Sequence, residues 1–140
     1  MTNWYDKYIN IPYKHLGNDP ISGMDCFNLC RYVYKEETGI EIPHLSFEHC
    51  NIVDVDWYNK TTDQYFETAV LEDKRCVKVS EPKRLDFIFI SIGSTNVTNH
   101  CAIYVDRNKI LHTMINRPSW VSPYGSYYKQ YTTGIYRWTM

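Results

Sequence analysis

The stretch Gly23-Met24-Asp25-Cys26-Phe27-Asn28-Leu29-Cys30-Arg31-Tyr32-Val33-Tyr34 decides how the rest of the chain is read. Its apolar side chains recur at Cys26, Leu29, Cys30, Val33 and Tyr34, the spacing of a single helical face. Asp25 is suited to cap the start of that helix and Gly39 to end it in the left-handed conformation. Upstream, residues 3 to 9 are expected to form a short helix that stops before Pro12, and Tyr13 to Gly23, rich in Gly, Asn, Asp and Pro, an exposed loop. Downstream, Tyr65, Phe66, Ala69 and Val70 mark one face of a second helix over about Asp63 to Lys74.

After Cys76 the pattern changes to short strand-like runs at Cys76 to Val79, Leu85 to Ile92, Cys101 to Asp106, Lys109 to Met114 and Gly134 to Trp138. Helices followed by strands predict an α+β fold, with N-terminal helices packed on an antiparallel sheet. The turn Asp106-Arg107-Asn108 fixes how two histidines relate, because side chains alternate across a sheet. If Val105 pairs with Lys109, His112 lies opposite Ala102 and diagonal to His100, on one face. A two-residue turn would place the two imidazoles on opposite faces.

Length and charge narrow the function. A chain of 140 residues is expected to form one domain, over residues 1–140. Fifteen Lys and Arg against sixteen Asp and Glu, with no basic run longer than two, leave no footprint for nucleic acid or an anionic membrane. The longest apolar run, Phe87-Ile88-Phe89-Ile90, is far below the roughly 20 residues of a membrane span. Five cysteines without a C-x-x-C pair match neither a disulfide framework nor a structural zinc site, so free thiols are expected. The sequons at Asn59 and Asn96 carry no meaning without a secretory route.

A thiol at the first turn of a helix faces free N–H groups and the positive end of the dipole, which favour its thiolate. Cys26 is placed there. A nucleophilic thiol also needs an imidazole to take its proton and a third polar group to orient that imidazole. His100 and His112 can supply both roles from one hairpin. Cys30, one turn on, reads as a small core residue. His15, His44 and His49 read as surface residues.

Several of these segments together resemble one family. Gly23 to Leu29, then Val33-Tyr34 and Gly39-Ile40-Glu41-Ile42-Pro43, is similar to the nucleophile segment of the NlpC/P60 cysteine peptidases. The bulky Phe27 after Asp25-Cys26 resembles the phage tail-assembly branch. Arg84-Leu85-Asp86-Phe87-Ile88-Phe89 resembles the family's Gly-Asp-hydrophobic strand, and His100-Cys101-Ala102-Ile103-Tyr104-Val105 its His-x-Gly-hydrophobic-Tyr strand. Ile110-Leu111-His112 resembles the strand bearing the third polar residue, and Gly134 to Trp138 the closing strand.

The resemblance implies a papain-like fold, with Cys26 as nucleophile, His100 as general base and His112 as its orienting partner. It implies that Tyr13 contributes to the oxyanion site and that Asp25, beyond capping the helix, shapes the site for the substrate amine. It implies hydrolysis of peptidoglycan stem peptides between D-glutamate and the diamino acid, with no cofactor or metal. Partners would be the stem peptide and phage tail-tip proteins. The N-terminal residues lack a secretory signal pattern, so synthesis in the bacterial cytoplasm and incorporation into a phage tail acting at the cell wall are expected.

Two departures bear on specificity: Phe27-Asn28 replaces the small Ser-Gly pair common in wall enzymes, and Ala102 replaces the Gly after the base. Three rival readings remain. The chain could be a structural tail-tip part without activity, its Trp120, Tyr124, Tyr127, Tyr128 and Tyr131 docking a partner, stacking on glycan or covering the sheet; covering is the default expectation. A metal could be held by His44, His49 and Cys50, or by Cys26, His100 and His112, although neither set has ligand spacing. An amidase or acyltransferase could use the same thiol chemistry.

Overall fold

A computed structural model describes residues 2–43, 57–59, 61–93, 95 and 97–139. His44, His49 and Cys50, weighed above as metal ligands or surface residues, and the sequon residue Asn96 lie outside the described residues. The architecture is α+β. A 3-10 turn at Asp6–Tyr8 precedes a two-residue hairpin, β1 (Asn18–Asp19) and β2 (Gly23–Met24). Helix α1 (Cys26–Thr38) follows, then α2 (Tyr65–Leu71). The strands β3 (Cys76–Val79), β4 (Phe87–Ile90), β5 (His100–Asp106), β6 (Lys109–Met114), β7 (Arg117–Pro123) and β8 (Thr132–Trp138) complete it, with a short α3 (Ser126–Gln130) before β8.

Helix α1 forms as its pattern requires. The Asp25 carboxylate accepts from the Asn28 N–H at 2.8 Å, and Gly39, at φ 78°, donates its N–H to the Lys35 carbonyl at 2.8 Å. The face predicted from spacing is buried at Leu29, Cys30, Val33 and Tyr34. Helix α2 is shorter than expected at both ends. At its C-terminal side, Asp73 accepts from the Arg75 N–H at 3.0 Å and its carbonyl from the Cys76 N–H at 2.9 Å, a turn that delivers the chain into β3.

The six strands pair antiparallel in the order β3-β8-β4-β5-β6-β7. One face carries Phe87, Phe89, Cys101, Ile103, Val105 and Leu111 beneath α1 and α2. There Phe27 meets the rings of Phe66, Phe87 and Phe89 at centroid distances of 5.3, 6.2 and 6.4 Å. The other face carries Ile88, Ile90, Ala102, Ile110 and Ile135, covered by Tyr124, Tyr128 and Tyr131. The covering role of the Tyr-rich segment therefore holds at these three positions, while Tyr127 stays exposed.

Strand β7 was not foreseen, and its sequence explains why. Pro118 and Pro123 lack N–H donors, which disfavours a strand reading, yet β7 is an edge strand where prolines are tolerated. Its outer side is protected by the N-terminal segment. Asn10 and Ser119 share a backbone bond at 2.8 Å, Ser119 donates its N–H to the Ile11 carbonyl at 2.9 Å, and its Oγ accepts from the Ile11 N–H at 2.8 Å. The residues that follow are not an open loop. The Met24 N–H donates to the Pro12 carbonyl at 2.9 Å and the Lys14 N–H to the Met24 carbonyl at 3.2 Å, which brings Tyr13 alongside Met24, two residues from Cys26. Gly23 makes this possible: it sits at φ 133°, and a Cβ there would lie 2.6 Å from Lys14 Cβ.

The β5–β6 turn differs from the expected three-residue form. Its tip is Arg107-Asn108, both at positive φ, flanked by the pair Asp106 and Lys109. A register shift between Tyr104 and Asp106 leaves Val105 as an extra residue, after which Tyr104 pairs with Ile110 and Ile103 with Leu111. The bulge cancels the one-residue change at the tip. His112 thus shares its face with Ala102 and His100, as the longer turn would have required.

Candidate active site

Helix α1 carries Cys26 on its first turn, where the N–H groups have no partner within the helix. The thiol is partly exposed at a cleft of about 180 Å³ whose walls include Tyr13, Asp25, Cys26, Trp57, His100 and Thr113. The backbone N–H of Cys101 and that of Phe27 point at the sulfur and favour its thiolate. Burial outweighs them: desolvation first, then the Asp25 carboxylate and Cys30, push the thiol well above its ordinary range. The lowering expected from the helix terminus alone is therefore overturned for the resting site. The thiol rests protonated and needs a base.

His100 lines the same cleft. His100 opens β5 and is buried, which drops its imidazole to about 4. Its Nε2 lies 2.8 Å from His112 Nδ1. His112 sits one strand further on, fully buried, and burial, then His100 and Arg117, hold its pKa down at about 2. Both rings are neutral at rest. His112 Nε2 is in turn 2.8 Å from Ser122 Oγ, and its ring is clamped by Trp120 at 4.1 Å and Tyr128 at 5.1 Å. With Nε2 engaged by His112, the other ring nitrogen of His100 is Nδ1.

Asp25 caps α1 and also faces the cleft. Its pKa rises to about 6, through burial opposed by the Asn28 N–H, His15 and the Leu16 N–H. Tyr13 faces the cleft as well, and burial, then Cys26 and Asp25, push its phenol up, so the hydroxyl is a neutral donor. The structure thus places Tyr13, Asp25, Cys26 and His100 around one cavity, with His112 behind His100 rather than in the wall. His15, expected at the surface, lines this cavity too. Cys30 is buried, with the Cys101 thiol 3.4 Å from its own, as a core residue.

A shared metal on Cys26, His100 and His112 does not fit this arrangement. The two ring nitrogens that would bind it face each other at hydrogen-bond distance, too close for an ion to stand between them.

A family model described as NlpC/P60 matches residues 10–137. The chain belongs to the NlpC/P60 family. Among curated relatives, this NlpC/P60 chain is 26% identical over 107 residues to the murein DD-endopeptidase MepH of Escherichia coli K12, covering 76% of the chain and 32% of the relative. It is 42% identical over 38 residues to the gamma-DL-glutamyl hydrolase of Bacillus subtilis 168, covering 27% of the chain and 9% of the relative. It therefore spans about a third or less of either protein. Among solved structures, the NlpC/P60 domain of the peptidoglycan hydrolase SagA superposes at a TM-score of 0.52 with 26% identity, covering 96% of this chain and 91% of that one. An NLP/P60-family lipoprotein-like protein of Staphylococcus aureus Mu50 superposes at 0.63 with 21% identity, covering 96% and 38%.

The departures noted in the sequence have defined places in this NlpC/P60 fold. Phe27 turns its ring into the core between α1 and the sheet. Asn28 donates its side-chain amide to the Gly17 carbonyl at 3.0 Å and accepts from Arg31, tying the Tyr13-bearing segment to the helix. Ala102 is buried on the far face of the sheet. Residues missed from sequence are Trp57, Tyr58, Thr113, Met114 and Ile115 in the cleft, and Trp120 and Ser122 behind His112. Trp120 and Ser122 carried a usable signal, being i and i+2 on a strand, but the prolines around them masked it.

Proposed function

We propose that the chain is a cysteine peptidase that hydrolyses peptide bonds of peptidoglycan stem peptides. The observation that carries this is the relay from His112 through His100 to the cleft that holds Cys26. In this reading His100 Nδ1 takes the Cys26 proton as sulfur attacks the amide carbonyl. The Cys26 backbone N–H and the Tyr13 hydroxyl hold the oxyanion, and His100 returns the proton to the leaving amine. Water then releases the acid from sulfur by the same route. Asp25, next to the thiol in the cleft, receives the substrate amine.

The scissile bond in this reading joins D-glutamate to the diamino acid. The partial similarity to a gamma-DL-glutamyl hydrolase supports that bond, and the longer one to a murein DD-endopeptidase supports the wall as substrate. The proposed setting is a phage tail tip, with synthesis in the bacterial cytoplasm. It rests on the resemblance of Asp25-Cys26-Phe27 to the tail-assembly branch.

Digestion of purified peptidoglycan by wild type and Cys26→Ala, with fragments sized by mass spectrometry, tests the reading. Fragments ending in D-glutamate with wild type only are expected. Cleavage confined to cross-links would move the scissile bond to the DD position. No cleavage of several wall types by folded wild type would favour a structural tail-tip part, which co-purification with tail proteins would then reveal.

A further inference from the structure

We propose that Ser122 is a positioning residue of this site: its Oγ accepts from His112 Nε2–H and so holds both imidazoles in the tautomer that leaves His100 Nδ1 bare for the thiol proton. The inference rests on the reading above for its consequence, but its structural content is independent of it. His112 is bonded at both ring nitrogens, to His100 Nε2 and to Ser122 Oγ, each at 2.8 Å. A neutral imidazole carries a single N–H, so the pair has two proton arrangements. In one, His100 Nε2–H donates to His112 Nδ1 and His112 Nε2–H donates to Ser122. In the other, Ser122 donates to His112 Nε2, His112 Nδ1–H donates to His100, and His100 already carries its proton on Nδ1.

Only the first arrangement can accept a proton from Cys26. It is also the only one that persists once His100 is an imidazolium, because both of its nitrogens then donate and His112 Nδ1 must accept. His112 is thereby obliged to donate from Nε2, and Ser122 Oγ is where that bond goes. Packing already fixes the ring's orientation, through Trp120 on one side and Tyr128 at its edge. Arg117, stacked on Trp120 at 3.8 Å, disfavours a cation on His112, so the transferred proton stays on His100. What packing does not set is which nitrogen bears hydrogen. The hydroxyl at position 122 is the acceptor that lets His112 Nε2 keep its hydrogen.

Thr and Val have nearly the same shape and differ in the hydroxyl, so Ser122→Thr and Ser122→Val separate bonding from packing. Histidine ring 15N NMR of resting protein should show Nε2–H for His100 and His112 in wild type and Ser122→Thr, and a shift toward Nδ1–H in Ser122→Val. Peptidoglycan hydrolysis by Ser122→Val should lose about 10- to 100-fold in kcat with little change in KM, while Ser122→Thr retains most activity. Should Ser122→Val fail to fold, Ser122→Ala serves with the same expectations. Nδ1–H tautomers in wild type, or an unchanged spectrum in the hydroxyl-less variant, would overturn the proposal. Inactive wild type with the expected tautomers would instead remove the peptidase reading and leave the role of Ser122 standing.

Discussion

The two faces of the six-stranded sheet are covered by different material and contribute differently to the site. Beneath α1 and α2 lies an apolar layer of Phe27, Phe66, Phe87, Phe89, Ile103 and Leu111. On the other face, Tyr124, Tyr128 and Trp120 cover a layer that includes His100, His112 and Ser122. The helix side delivers the thiol at its tip, while the covered side delivers the imidazole pair. The difference teaches how buried polar groups are tolerated here: His112 has a partner at each ring nitrogen, so the relay sits in an aromatic layer without an orphaned donor.

The division is tested hardest by His100→Ala. Hydrolysis should fall by at least about 10⁴-fold while Tm, followed by circular dichroism, moves by no more than about 5 °C. A large loss of stability would show that the covered face holds the fold together as well. The complementary change, Phe27→Ala on the helix side, should cost about 3–5 kcal/mol in urea unfolding, because it empties a ring site packed by three others.

The titration of the buried imidazoles separates the faces next. His100 falls from 6.5 to about 4 and His112 to about 2 in the folded chain, so between pH 6.5 and 4 the unfolded state binds more protons. Stability is full above the unfolded value and is lost as pH falls toward the folded ones. The urea midpoint should therefore drop between pH 7 and 4, and His112→Gln should flatten that slope. Asp25 opposes it: raised to about 6, it adds stability at low pH that is lost as pH rises through 6.

The smallest expected effect concerns the cleft between the two faces. Asn caps a helix as well as Asp does, so Asp25→Asn should leave Tm nearly unchanged below about pH 4 and raise it above pH 6, where the buried carboxylate of wild type is charged. Its kcat/KM at pH 7.5 should fall about tenfold, through loss of a charge-assisted bond to the substrate amine, and the acid limb near the Asp25 pKa of about 6 should disappear. An unchanged pH profile would assign that limb to another group.

Much of this was legible in the chain itself. The spacing from Cys26 to Tyr34, the cap at Asp25 and the left-handed Gly39 are local features, and helix α1 follows them because its backbone bonds and caps join near neighbours. The strands at Cys76–Val79 and Lys109–Met114 were likewise set by their own composition. Strand β7 was illegible because its prolines argue against a strand unless an edge position is known, and an edge exists only once the sheet has formed.

The candidate site divides along the same line. Spacing in the sequence offered Cys26, His100 and His112 as residue types able to do thiol chemistry, and the resemblance of their segments to the NlpC/P60 family, rather than spacing alone, singled them out. Only the tertiary structure decided that a bulge at Val105 keeps both imidazoles on one face, that pairing of residues 12–14 with Met24 brings Tyr13 to the thiol, and that Ser122 stands behind His112. The physical reason is that hydrogen bonds between separate strands depend on register, which is a property of the assembled sheet rather than of any one segment.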